Sequence, residues 1–286
     1  MSIYHYYITD QGDLLHEQIV MNDESLIEMI YKNMEINRTP HCSEAKYYAK
    51  IGYEEIYLHV QDTPIVFKTL RDNILYMTNN ISIQFNPNDL RFNEHGYLYH
   101  RSTIGNWARL HTHVTMQLSK NIEKWGKYYI YKDDVHQRVI EPFEKEHTIF
   151  LHPKPENQCF GCGLNNTIGL RMTFVYHPQL QEVETWFTPP TFMMGSLNVM
   201  HGGMVSLLFD ETMSKVLTGK GIKALTGTLS VRFLKPTYMD QELHITASLI
   251  SEKGRKLELQ ASIYDESKVK TATGTALFII REQVNP

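Results

Sequence analysis

The chain has 286 residues, 42% hydrophobic and 21% charged, enough to bury a substantial core and, at roughly 150 residues per domain, to form two domains. A net charge of −4 and a pI near 6.4 exclude the broad basic surface of a nucleic-acid binder. No run reaches the ~18–20 consecutive apolar residues of a membrane span, and the first residues lack the basic-then-apolar order of a secretory leader.

In chain order, "SIYHYYIT" at 2–9 reads as an aromatic-rich strand that "DQG" turns back into "DLLHEQIV". "DESLIEMIYKNM" opens on Asp and Ser and keeps helical periodicity, which predicts a capped helix. Short strand candidates follow: "EEIYLHV", "PIVFKTL", "ISIQF" and "YLYHR". A longer helix is expected across 104–125, "IGNWARLHTHVTMQLSKNIEKW". The charged stretch "KDDVHQRVIEPFEKEH" at 132–147 has little periodicity. The expected organisation is therefore a mixed α/β N-terminal domain at 1–131, a linker at 132–150, and a second domain at 151–286. That second part is nearly neutral, with 13 Lys and Arg against 12 Asp and Glu.

From 169 onward the pattern is two strands, one helix, four strands. "GLRMTFVY" and "EVETWFT" precede the helix; "ALTGTLSVRFLKP", "ELHITASLI", "RKLELQASIYDE" and "VKTATGTALFII" follow it. Alternation is clear at Leu243, Ile245, Ala247, Leu249 and again at Leu257, Leu259, Ala261, Ile263. "SEKGRK" and "DESKVK" are turn material. One helix cannot cover both faces of such a sheet, so the sheet is expected to wrap around it: α+β overall.

The helix candidate, "NVMHGGMVSLLFDETMSKVLTGKG" at 198–221, carries the chemistry. The first N–H groups of a helix have no internal partner and point outward at the positive dipole end. Glycine there leaves room for an approaching oxygen, the geometry of an oxyanion hole. Asp210, nine residues after His201, is then a general base for water or a nucleophile. Nine residues advance about 13.5 Å and turn about 900°, half a turn out of phase. The glycines and Asp210 therefore meet at one reaction centre only if two copies of the helix run past each other in a dimer. Taken singly, a Gly-Gly pair is more often a turn, and an Asp on an apolar helix more often faces solvent; the strand context is what raises the signal.

With these residues in view, about 157–280 resembles the hotdog-fold acyl-CoA thioesterases, in their phenylacetate-pathway, THEM-like branch. The resemblance rests on "HGG" followed by "LLFDE", on "TGTLSVRFLKP" after the helix, and on "CFGCG…GL" before the first strand. It implies a long central helix wrapped by an antiparallel sheet, an acyl-CoA substrate, no cofactor, and a homodimer or tetramer with sites at the subunit interface. By the same resemblance Asp210 is the catalytic carboxylate, Gly202 the backbone oxyanion donor, and His201 a positioning group for the carbonyl. Thr226 orients the water or the carboxylate. Arg232, Lys235, Arg255 and Lys256 are candidates for the CoA phosphates, although each such residue is more often a solvated strand-end charge, and Asn198 offers a side-chain amide, although it is more often a turn residue; of these, Asn198, Arg232 and Lys235, with Gly203, are assigned to substrate binding. Where the family often has Gln-Gly-x-Pro-Gly before the His, this chain has Met194-Gly195-Ser196-Leu197-Asn198. Residues ~4–120 resemble a family of uncharacterised proteins, through "YHYYITDQGDL", "DTPIVFKTL" and "IQFNPNDLRFNEHGYLYH"; no chemistry follows from that.

Three cysteines, Cys42, Cys159 and Cys162, are too few for a disulfide framework and fit a reducing compartment, so a cytoplasmic location is expected. "CFGC" at 159–162 has knuckle spacing, but a structural zinc site wants four ligands and no second pair exists. His152 and His177 would be needed to complete one, and no metal is expected. His111 and His113, two apart, do not converge on one ion. Two other functions use the same residues. One is an acyl-CoA sensor that binds without hydrolysis and acts on the N-terminal domain; an ionised Asp210 beside a thioester argues against it. The other is enoyl-CoA hydration, which pairs the Asp with a His about five residues on, where this chain has Lys215.

Overall fold

The computed structural model describes residues 2–39, 41–143 and 147–281. They form two compact units, 2–39 and 41–123 with 140–143, and 124–139 with 147–281.

The first unit is mostly strand rather than an even mixture of α and β, with two short helices, α1 (Glu24–Lys32) and α2 (Thr112–Ser119). The Asp23 carboxylate caps α1, accepting from the Ser25 and Leu26 N–H groups at 3.0 and 3.1 Å. Strand Ser2–Ile8 lies at the centre of a six-stranded sheet, antiparallel to Leu14–His16 and parallel to Glu54–Val60. Gly12 makes the turn between the first two: its φ is +82°, and a Cβ there would lie 2.6 Å from Val66.

The long helix expected across 104–125 is replaced by strand Trp107–Leu110, the short α2, and strand Ile122–Trp125. Gly105 and Asn106, both at positive φ, turn the chain so that Trp107–Leu110 pairs with Leu98–Arg101 in a hairpin. Arg109 is then fixed by Asp10 at 3.0 Å and Asp62 at 3.4 Å, and stacks on Tyr97 at 3.8 Å. The apolar residues at 107, 108 and 110 mimic helical spacing, but tertiary pairing outweighs that local preference.

The second unit is built from β1 (Ile149–Leu151), β2 (Phe174–His177), β3 (Glu182–Phe187), α3 (Gly202–Gly219), β4 (Ala224–Phe233), β5 (Leu243–Lys253), β6 (Lys256–Tyr264) and β7 (Lys270–Ile280). These strands form one antiparallel sheet in the order β1-β2-β3-β5-β6-β7-β4, and α3 lies against its inner face. Val205, Leu208, Phe209, Met213 and Val216 of α3 are fully buried with Leu243, Ile245, Leu257, Leu259, Ile263 and Phe278. The period-2 residues read from β5 and β6 thus form the wall behind the helix, with Ile245 opposite Ile263 and Leu249 opposite Leu259. Gly219 lets the last turn of α3 close on Tyr176, whose ring would stand 2.4 Å from a Cβ.

Over β1, β2 and β3 the outer face is covered as well. Trp125, Tyr128, Ile130 and Val139 pack with Val175 of β2, Phe150 and Trp186, and the Trp125 indole N–H donates to the Trp186 carbonyl at 2.7 Å. Part of the stretch expected as a linker therefore carries strand residues that belong to this packing. Among the described residues, no helix is long and apolar enough to cross a membrane.

Candidate active site

α3 begins at Gly202, with His201 as its N-cap. The imidazole Nδ1 accepts from the Gly203 N–H at 3.0 Å, and the His201 carbonyl accepts from Met204 and Val205 at 2.8 and 3.1 Å. Among the described residues the Gly202 N–H has no acceptor. Neither glycine has a positive φ, so handedness does not explain them. Space does: a Cβ on Gly202 would lie 3.1 Å from Phe233 Cζ, and one on Gly203 would lie 3.1 Å from His201 Nδ1.

Before the helix, Met194–Ser196 and Val199–Met200 form a small hairpin turned by Leu197 and Asn198, at φ 49° and 61°. It is held by the Met200 N–H on the Thr237 carbonyl at 2.8 Å and the Met239 N–H on the Asn198 carbonyl at 2.9 Å. Between hairpin, helix start and residues 233–237 lies an open cleft of about 730 Å³. Leu197, Val199, Val205, Phe233 and Leu234 give it apolar walls; His201, Gly202 and Lys235 also line it.

Asp210 is half-buried on α3. The Thr226 hydroxyl, two residues into β4, donates to its Oδ1 at 2.5 Å. The pairing of β4 with β7 shifts from Thr226 opposite Phe278 to Thr228 opposite Leu277, leaving Gly227 as the extra residue of a bulge. Asp210 lies eight residues after Gly202 on one helix, about 12 Å of rise. Within one chain the free N–H and the carboxylate therefore stand at separate places.

The remaining expected residues divide. Lys235 lines the cleft; Gly203 has its N–H taken up by the cap; Asn198 is a turn residue at the hairpin tip; and Arg232 is exposed on β4, opposite Thr273. Phe233 and Leu234, which shape the cleft, were not among the expected residues, although both lie in the stretch "TGTLSVRFLKP" singled out after the helix.

A second polar cluster lies on the neighbouring side of α3. Glu211 and Lys215, both largely buried, form an ion pair at 2.7 Å. The ammonium also donates to Cys162 Sγ at 2.9 Å, the Asn157 amide donates to the same sulfur at 3.3 Å, and Cys159 Sγ is 3.5 Å from Glu211. Burial, and after it the Glu211 carboxylate, push the Cys162 thiol up to about 12. Burial alone would lower the Lys215 pKa, but Glu211 and Cys162 outweigh it and hold that pKa above the usual lysine value. Cys159, Cys162 and Glu211 are close enough to share an ion, yet the Lys215 ammonium already supplies the positive charge. His177 is not part of the group; it is hydrogen-bonded to Glu184 at 3.0 Å. The usable signal for Glu211 and Lys215 was their i,i+4 spacing on an apolar helix.

Comparison with known proteins adds two family matches. Residues 1–147, just over half of the chain, match the model described as "Domain of unknown function (DUF4505)". Residues 197–272 match that of the thioesterase superfamily. No curated protein matches the chain. Among solved structures, a thioesterase superfamily protein is similar at 23% identity over 43% of this chain and 60% of its own, with a TM-score of 0.41. The chain thus spans 60% of that protein's length. A Streptococcus mutans protein bound to acetyl CoA is similar at 18% identity over 35% of this chain and 82% of its own, TM-score 0.34. The E. coli PaaI protein from the phenylacetic acid degradation operon is similar at 17% identity over 35% and 73%, TM-score 0.34.

Proposed function

We propose, from the premise that the chain belongs to the DUF4505 family and carries a hotdog thioesterase domain behind that region, that the second unit hydrolyses an acyl-CoA thioester to a free acid and CoA. The acyl carbonyl approaches the start of α3, where the Gly202 N–H is free to receive the oxygen that becomes negative as water attacks. With His201 Nδ1 accepting from Gly203, the neutral imidazole carries its proton on Nε2 and presents a donor to the same carbonyl. Asp210 takes the proton of the attacking water, while Thr226 holds one carboxylate oxygen and leaves the other for that water. Collapse of the tetrahedral intermediate expels the CoA thiolate.

Because about 12 Å of helix separates the two halves of this machinery, the reaction centre joins the Gly202 end of one subunit to Asp210 of its partner in a two-fold dimer. Lys235 at the cleft meets a phosphate of CoA. The observation that carries the reading is the Thr226–Asp210 hydrogen bond, which fixes a half-buried carboxylate in the orientation a base requires. The test is free-thiol release from a panel of short, long and aromatic acyl-CoAs. Turnover supports the reading, and its absence across the panel with folded protein removes it.

A further inference from the structure

We propose that the first unit holds a binding site for a single thiophilic divalent ion of the Zn²⁺ class, made by the imidazoles of His5 and His59 and the thiol of Cys42. One donor atom from each lies within 4.8 Å of the other two. His5 and His59 sit on neighbouring parallel strands, Ser2–Ile8 and Glu54–Val60, in the register that sets His5 opposite Tyr57 and Tyr7 opposite His59. All four side chains therefore share one face of the sheet. His5 Nδ1 and His59 Nε2 are 3.1 Å apart. Two nitrogens bound to one tetrahedral zinc at about 2.0–2.1 Å would stand about 3.3 Å apart, so little movement separates the imidazole contact from a chelate.

The sequence does not suggest this triad, since its members lie far apart along the chain; the sheet and one loop assemble it. Asn37 pins the loop that brings in Cys42, its amide donating to the Cys42 carbonyl at 2.6 Å and the Ala45 carbonyl at 2.9 Å. Cys42 also packs against the buried Ala45, Tyr48 and Tyr57. Tyr57 stacks on His5 with centroids 5.7 Å apart, and Tyr7 on His59 at 4.7 Å, which restrains both rings. Burial, reinforced by His5, lowers the His59 pKa, with Glu44 opposing, and so favours the neutral imidazole a metal needs. Two imidazoles and one thiolate suit a borderline-soft ion, and three protein ligands leave a fourth position for water or another donor. Cys159, Cys162 and Glu211 form the other such group, but there Lys215 already provides the cation. Binding exchanges the Cys42 S–H bond for a sulfur–metal bond and releases one proton, with no change of oxidation state.

Co²⁺ titration of the full, chelator-stripped chain tests the proposal, because cobalt bound to thiolate gives a near-ultraviolet charge-transfer band. The expected result is one equivalent bound, with a band that Zn²⁺ abolishes and that survives in the Cys159→Ser/Cys162→Ser double variant. The band should vanish in Cys42→Ser, and affinity should fall at least about tenfold in His59→Gln, with the far-ultraviolet circular dichroism of both variants matching wild type. His5→Asn provides the second imidazole test, with the same expected loss of affinity. No band in wild type, or a band that persists in Cys42→Ser and disappears with Cys159 and Cys162, would overturn it.

Discussion

Thr226 Oγ1 donates to Asp210 Oδ1 over 2.5 Å, bringing the residue just before the Gly227 bulge of β4 onto the middle of α3. Removing the hydroxyl leaves the carboxylate in place but frees its orientation. A hydrogen bond to a charged group contributes about 1.5–3 kcal/mol, less where water reaches it. Thr226→Ala should therefore lower kcat roughly tenfold with little change in KM, and Thr226→Ser should recover most of the loss. Steady-state kinetics of the two variants separate this from a packing defect, which serine would not repair.

Gly202→Ala should depress activity through Phe233. The new Cβ meets the ring at 3.1 Å, and Phe233 is more than half exposed, so the ring can swing away at a stability cost of about 1 kcal/mol or less. The displaced ring then crowds the cleft. KM should rise in Gly202→Ala and return toward wild type when Phe233→Ala is added, as a double-mutant cycle on KM would measure.

Glu184 lies on β3, opposite Thr246 of β5. It takes His177 at 3.0 Å, His244 at 3.0 Å and Lys127 at 3.2 Å. Burial pushes its pKa up, but the His244 hydrogen bond, the Lys127 charge and His177 outweigh this and hold it at about 2. A depressed carboxylate stabilises the fold above its unfolded pKa and ceases to do so as pH falls through the folded one. Wild type should exceed Glu184→Gln in stability by on the order of 2–3 kcal/mol near neutrality. Urea midpoints should show that gap narrowing from about pH 4.5 down to about pH 2.

The Glu211–Lys215 pair should be costly to break and cheaper to remove. Lys215→Met leaves a buried carboxylate uncompensated, a loss of about 3–5 kcal/mol, whereas Glu211→Gln with Lys215→Met should cost clearly less than the sum of the single changes. Denaturant unfolding of the three variants measures it.

Much of the second unit was legible in the sequence because its strands alternate. Leu243, Ile245 and Ala247, then Leu257, Leu259 and Ala261, report a sheet with one buried face before any contact is known. The helix start was legible too, since His201 followed by two glycines before an apolar run is a local pattern. The first unit was harder. Trp107–Leu110 owes its extended form to Leu98–Arg101 beside it, and Arg109 owes its burial to Asp10, 99 residues away. Cys162, Glu211 and Lys215 stayed unconnected for the same reason: sequence spacing carried the i,i+4 pair but not the sulfur 53 residues earlier. Local patterns survive in a single sequence, whereas partners chosen by tertiary packing do not.

The most direct measurement is free-thiol release by wild type and Asp210→Asn, side by side, on whichever acyl-CoA the wild type turns over fastest. The expected result is a fall in kcat of at least about a hundredfold with KM within a few-fold, the signature of a group that acts in the transition state. Near-full turnover by a pure, folded Asp210→Asn protein would contradict the account, because no base would then stand where the proposed mechanism requires one.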